Sequence, residues 1–200
     1  MGSGKNGSFD KRPDWQQWSL LTVFKKGVIN PSTSNPEMMS ALYGSFISKW
    51  IRRFSCETWT VLLEPIEGHG TWDGKRVFGD FPKQSAHEGP IAILTRATIR
   101  LSRLNHFWKH VDAVSLEMAR AKGFIASLGI GEIPWIKQAT FSIWQSREDM
   151  VNFAYGMKGH QEVIRLTRKE KWYSEDMFTR FRIIGCTGTM KGMNPLEGKL

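Results

Sequence analysis

The second half of the chain switches repeatedly between two hydrophobic periods. From Pro90 to Arg100, apolar and β-branched residues run almost unbroken, which predicts a strand. Ser102 can cap a helix continuing to about Ala121, with Gly123 as its stop. Phe124–Leu128 predicts a short strand entering a turn at Gly129-Ile130-Gly131, and Ala139–Trp144 predicts the next strand. Ser146-Arg147-Glu148-Asp149 has the form of a capping box, with Asp in the usual place of Glu, and opens a helix to about Lys171. Phe178–Ile184 closes the unit. The order βαββαβ is that of the ferredoxin-like split motif.

The first half repeats part of this pattern. Trp15-Gln16-Gln17-Trp18-Ser19-Leu20-Leu21-Thr22-Val23-Phe24 matches Trp135–Trp144: each opens on Trp, alternates, and ends on an aromatic ring. Gly2-Ser3-Gly4 precedes one and Gly129-Ile130-Gly131 the other; Gly70-Thr71-Trp72-Asp73-Gly74 answers Gly188-Thr189-Met190-Lys191-Gly192. The offsets are 120 and 118 residues, so a whole unit is duplicated nearly in register. The first copy holds a strand at Trp18–Phe24, a helix near Glu37–Arg53 and a strand at Thr58–Leu63, without a leading strand and helix. The expected fold is therefore α+β, with tandem ferredoxin-like modules of the dimeric α/β-barrel type packed sheet to sheet. The first module, incomplete, takes residues 1–88 with the connecting loop Gly68–Gly89, and the complete second takes residues 89–200. On this pattern the chain begins mid-module.

Composition narrows the function classes. The longest apolar runs are a few residues, far below the about 20 that a spanning helix needs. The start Met1–Gly7 has no apolar signal region, and two cysteines, Cys56 and Cys186, build no disulfide scaffold. A cytoplasmic protein, peripheral on the inner membrane at most, is expected. Lysine and arginine number 28 against 19 acidic residues, a net charge of +9, and nine tryptophans accompany them. Such a balance suits single-stranded nucleic acid or an anionic membrane surface. Aromatics at core periodicity in Leu20–Phe24 and Ala139–Trp144 argue against nucleic acid. The basic excess is spread over Lys25-Lys26, Arg52-Arg53 and Arg165–Lys171, the last being the face expected to meet lipid.

Among the histidines, His160 stands apart. Met150, Phe153, Met157, His160 and Ile164 follow 3, 4, 3, 4 spacing, one face of a helix, with Gly156 and Gly159 giving clearance beside it. An imidazole in an apolar stripe needs partners for its nitrogens: a neighbouring carbonyl, or a metal. His106 and His110 lie four apart without the Glu of a zinc-protease helix and read as a surface pair, and His69 and His87 fall in the glycine-rich connection. On the strand at Pro90–Arg100, Leu94, Arg96, Thr98 and Arg100 share one face, and an inward arginine is costly unless paired. No intact dinucleotide or nucleoside-triphosphate loop occurs.

Several stretches together resemble the spheroidene monooxygenase (acyclic carotenoid 2-ketolase) family: Ser55-Cys56-Glu57-Thr58-Trp59-Thr60, Gly89–Ile99 with its Thr95-Arg96-Ala97-Thr98-Ile99, Phe107-Trp108, Gly129–Trp135, Gln138–Trp144, and Gly159-His160 followed by Trp172-Tyr173-Ser174-Glu175. The resemblance spans nearly the whole chain; family members carry a further strand, helix and strand before the Gly-Ser-Gly. It implies O2-dependent hydroxylation at C2 of an acyclic carotenoid, repeated to the 2-keto level, at haem iron, with an external electron donor such as ferredoxin. On that basis His160 is the expected iron ligand, with Met157, Phe153 and Arg100 against the cofactor and Arg96 and Thr98 as catalytic groups. A redox partner, an apolar carotenoid substrate, a homodimer and peripheral membrane contact are the expected partners. The alternative is a non-catalytic barrel protein binding haem or an apolar small molecule.

Overall fold

In the computed structural model, which describes residues 2–4, 10, 12–24, 36–80 and 85–200, the elements follow in the order β1 (Gly2–Gly4), β2 (Pro13–Trp18), α1 (Pro36–Arg53), β3 (Trp59–Gly70), β4 (Ile91–Ile99), α2 (Leu104–Ala119), β5 (Phe124–Ile133), β6 (Lys137–Trp144), α3 (Arg147–Gly156), α4 (Lys158–Glu170) and β7 (Tyr173–Gly188). Their hydrogen-bonded order is β2-β1-β5-β6-β4-β7-β3. From β4 onward this is the ferredoxin-like arrangement: β4 lies between β6 and β7, antiparallel to both, and β5 lies outside β6. Strands of both sequence copies take part in this sheet. Gly2 of β1 pairs with Gly131 of β5, so the two glycine pairs that the repeat aligns meet each other.

Two compact units divide the chain, Met1–Leu20 with Pro65–Arg182 and Leu21–Glu64 with Ile183–Leu200. Each draws on residues of both sequence copies. In the larger unit, strand alternation gives β4 two faces. Ile91 and Ile93 point toward the helices and pack with Met118 of α2, Trp144 of β6, and Met150 and Phe153 of α3. Ala92, Leu94, Arg96 and Thr98 take the opposite face, beside Ile143, Phe141, Ala139 and Lys137 of β6 and Phe181, Thr179, Met177 and Glu175 of β7. Apart from the charges at one end, that second face is mostly apolar and mostly buried. In the smaller unit, α1 is kinked at Gly44 (φ 73°), and Tyr43 of α1 bonds Thr60 of β3, Oη to Oγ1, at 2.5 Å.

Several expected boundaries shift for identifiable reasons. β2 ends at Trp18, which pairs with Gly2, and Ser19–Phe24 is not strand; Leu20 and Val23 are exposed, and the core periodicity read there does not describe packing. β3 runs on to Gly70 through Pro65, which an edge strand tolerates because one side needs no N–H donor. β5 continues through Gly129-Ile130-Gly131 instead of turning, because β1 and β6 pair with it on either side. Ser102 sits inside a 3-10 turn (Leu101–Arg103) and does not cap α2. Ser146 does cap α3, its Oγ accepting from the Asp149 amide at 3.0 Å and donating to the Asp149 carboxylate at 2.7 Å. The single long helix expected from Ser146 to Lys171 is broken at Met157 (φ −90°, ψ 121°) into α3 and α4. Lys25-Lys26 lies outside the described residues.

Candidate functional site

The charged end of the non-helical face of β4 is an ion network built on Arg96, whose side chain is fully buried. Its Nη1 donates to Glu175 at 2.6 Å, and its Nη2 donates to Asp73 at 2.7 Å and Glu132 at 3.0 Å. Lys137 reaches Asp73 at 2.6 Å, and the Trp72 ring lies 5.2 Å from the guanidinium carbon. Register explains the convergence. Arg96 pairs with Met177 on β7, two residues from Glu175, and with Ala139 on β6, two residues from Lys137, so these side chains share its face. The cost of burying a guanidinium is offset by three carboxylates.

The same contacts set the protonation states. Burial pushes Glu175 upward, but the Thr71 hydroxyl, the Gly74 amide, Arg96 and the Asp73 amide outweigh it and hold the carboxyl at about 2. Asp73 is held below the usual carboxylate range, first by Lys137 and then by Arg96. Burial lowers Arg96, yet the hydrogen bonds it donates to Glu132, Asp73 and Glu175 carry its net shift upward. Among the described residues, three buried atoms here find no hydrogen-bond partner: Arg96 Nε, Thr98 Oγ1 and Glu132 Oε1. A donor, a hydroxyl and an acceptor are thus left unmatched at one place, a rare condition for buried groups.

Glu175 also holds a turn. It accepts from Thr71 Oγ1 at 2.6 Å, the Asp73 amide at 3.1 Å and the Gly74 amide at 2.8 Å. The smaller unit contains the same clasp one repeat away: Glu57 accepts from Thr189 Oγ1 at 2.7 Å, the Lys191 amide at 2.9 Å and the Gly192 amide at 2.6 Å. Glu57 and Glu175 are 118 positions apart, as are Thr71 and Thr189. The duplication offset carried the signal for both glutamates, although motif spacing alone singled out neither. The copies differ where Asp73, a partner of Arg96, corresponds to Lys191.

The expected site residues do not converge. Arg96 and Thr98 lie on the non-helical face; Phe153, Met157 and His160 lie on the helical one, packed with the α2–α3 core. Arg100 follows the end of β4, exposed, with its Nε donating to the Tyr173 carbonyl at 3.1 Å. His160 Nδ1 bonds the Ala154 carbonyl at 3.0 Å, and its ring is 4.7 Å from that of Phe153. That bond uses one ring nitrogen, as metal-ligating histidines commonly do, so it does not choose between the two uses open to the imidazole. Of the two glycines expected to give clearance, Gly156 has nothing within 4 Å of where a Cβ would stand, while at Gly159 the end of the Glu117 side chain would lie 2.3 Å away. Both terminal nitrogens of Arg96 are engaged by carboxylates. His106 meets Glu170 at 3.2 Å and His110 stacks on Trp172. Among the described residues no three His, Cys, Asp or Glu side chains converge to hold a metal ion.

No family model matches the chain. Three curated relatives do. It is 36% identical over 198 residues to the spheroidene monooxygenase of Cereibacter sphaeroides, covering 98% of this chain and 58% of that protein. It is 33% identical to those of Rhodobacter capsulatus, covering all of this chain and 80% of that protein, and of Rubrivivax gelatinosus, covering 96% and 70%. The chain thus spans a little over half the length of the first relative. Among solved structures, a conserved protein from Methanosarcina mazei Go1 aligns with TM-score 0.42 at 11% identity, over 47% of this chain and 92% of that one. A cofactor-independent oxygenase from Streptomyces nogalater aligns with TM-score 0.36 at 10% identity, over 52% and 97%.

Proposed function

Because the chain belongs to the spheroidene monooxygenase family, we propose that it acts as a carotenoid-modifying monooxygenase on an acyclic carotenoid at C2. The observation that carries this is similarity along essentially the whole chain, including the strand that bears Arg96 and Thr98. Each turnover breaks one C–H bond and the O–O bond. It places one oxygen atom on C2 as a hydroxyl and releases the other as water, consuming two protons and two electrons. A second round at the same carbon gives a geminal diol that loses water to the ketone. The electrons come from an external donor, for which a ferredoxin-type protein is the natural class.

Arg96 Nε–H and the Thr98 hydroxyl are the two unmatched donor groups on the non-helical face, and they support a role in handling oxygen there. The rest of that face is mostly apolar, as a site for a polyene would be. Haem iron is the remaining part of the reading. It rests on family resemblance, and the Nδ1 bond from His160 to the Ala154 carbonyl is compatible with it. Haem titration of the protein and of His160→Ala separates the cases. A Soret band shifted by the substitution restores His160 as ligand; an identical spectrum removes it.

The test of function is conversion of an acyclic carotenoid under 18O2 with a reducing system, read by mass. One heavy oxygen in the product is expected; Thr98→Val lowers turnover at least tenfold while Thr98→Ser retains most of it. Absence of oxygenated product with a folded protein overturns the reading in favour of an apolar-ligand carrier.

A further inference from the structure

α1 is amphipathic in the wrong sense for a helix that only covers a sheet. Phe46, Trp50 and Phe54 recur every four residues and form one stripe, with ring centroids 6.4 Å and 4.6 Å apart along it. These rings are 74%, 54% and 58% exposed, while Ser48, on the opposite side of the helix, is 7% exposed. The stripe therefore points away from the unit that α1 belongs to. Lys49, Arg52 and Arg53 are exposed beside it, and Arg53 lies over the Phe54 ring at 5.9 Å. No carboxylate occurs from Leu42 to Cys56.

We infer that this face of α1 docks the protein on an anionic lipid surface. Aromatic rings standing among lysine and arginine are what the headgroup boundary of a bilayer accepts: the rings enter the acyl margin and the cations stay with lipid phosphates. Charge complementarity selects lipid over a second copy of the chain, because two such faces would bring like charges together. It also selects α1 over the Arg165–Lys171 segment, where Arg165 is already paired with Glu162 at 2.6 Å and Glu170 faces Arg103 and His106. The docking stands on α1 alone. Its use, presenting the protein to a substrate dissolved in a membrane, rests on the carotenoid reading.

The experiment is co-sedimentation of the chain with vesicles of phosphatidylcholine alone or mixed with phosphatidylglycerol, scored without turnover so that docking and catalysis fail separately. Binding to the mixed vesicles is expected, roughly tenfold or more above binding to phosphatidylcholine. Substituting Phe46, Trp50 and Phe54 by Ser, or reversing Lys49, Arg52 and Arg53 to Glu, should each remove at least tenfold of it. Both sets are surface changes, and circular dichroism checks the fold. Replacing Arg165, Arg168 and Lys169 by Gln should leave binding intact. Equal binding by the wild type and both α1 variants, or loss of binding only in the α4 variant, overturns the proposal. So does an unbound wild type, or a dimer in sedimentation that the Ser variant dissolves.

Discussion

Arg96 shows how a single side chain links strand register to stability. Its guanidinium meets three carboxylates that would otherwise repel one another, and its loss leaves the two largely buried ones, Glu132 and Glu175, without their cation. Arg96→Met should cost about 3–5 kcal/mol in urea unfolding, whereas trimming one carboxylate, as in Asp73→Asn, costs less because two remain. The network also sets an acid limit. Glu175 sits at about 2 against an ordinary 4.5, and a depressed carboxyl contributes stability that is fully present above the ordinary value and lost as pH falls through the folded one. Unfolding free energy measured from pH 4.5 down to pH 2 should therefore fall in the wild type, and fall less steeply in Arg96→Met, where Glu175 keeps only its Thr71 and backbone partners. Equal slopes would show that Arg96 does not hold the carboxyl down. Period-2 alternation makes Arg96 legible as an inward charge needing partners, since it requires only β4. The partners themselves come from a turn, from β5 and from β7, and no local pattern joins Asp73, Glu132 and Glu175.

Among elements, the repeat is the level at which sequence and structure agree most closely. The motif Gly-Thr-x-x-Gly recurs because each copy does the same mechanical work: a glycine brings the chain against a neighbouring backbone, and the next four residues close on a glutamate. Gly70 (φ 83°) would place a Cβ 2.1 Å from the Asp176 carbonyl oxygen, and Gly188 (φ 81°) one 2.0 Å from that of Thr58. Gly70→Ala and Gly188→Ala should each destabilise by roughly 2–3 kcal/mol or more, since backbone must move as well as bend. Gly198→Ala, at φ 67° but with nothing near its Cβ, should cost only about 1 kcal/mol. Chemical denaturation of the three variants checks the ordering. The helix from Ser146 shows the opposite lesson. Its cap was legible because Ser146 and Asp149 act locally, and Ser146→Ala should cost about 1 kcal/mol. Its break at Met157 was not legible, because 3, 4, 3, 4 spacing runs through Gly156 without interruption. The break lets His160 reach back to the Ala154 carbonyl and set its ring beside that of Phe153.

At the scale of the whole molecule, a charge of +9 fits two kinds of anionic polymer surface, and charge alone cannot choose between them. Exposure of Trp15, Trp18 and the Leu20–Phe24 segment removes part of the case against nucleic acid that periodicity had made. Salt separates the two. Contacts with phosphates of a single strand depend on counterion release and weaken steeply as salt rises. Rings seated in an acyl boundary are held by burial of apolar area, which screening does not touch. At 1 M salt, where the screening length is about 3 Å, the wild type should remain partly bound to phosphatidylglycerol vesicles yet elute fully from immobilised single-stranded DNA. The Phe46, Trp50 and Phe54 to Ser variant should lose the salt-resistant vesicle fraction while its DNA elution stays unchanged. Retention on DNA at 1 M, lost with the same three rings, would instead mean that bases stack on α1, and the aromatic stripe would then belong to a nucleic-acid surface.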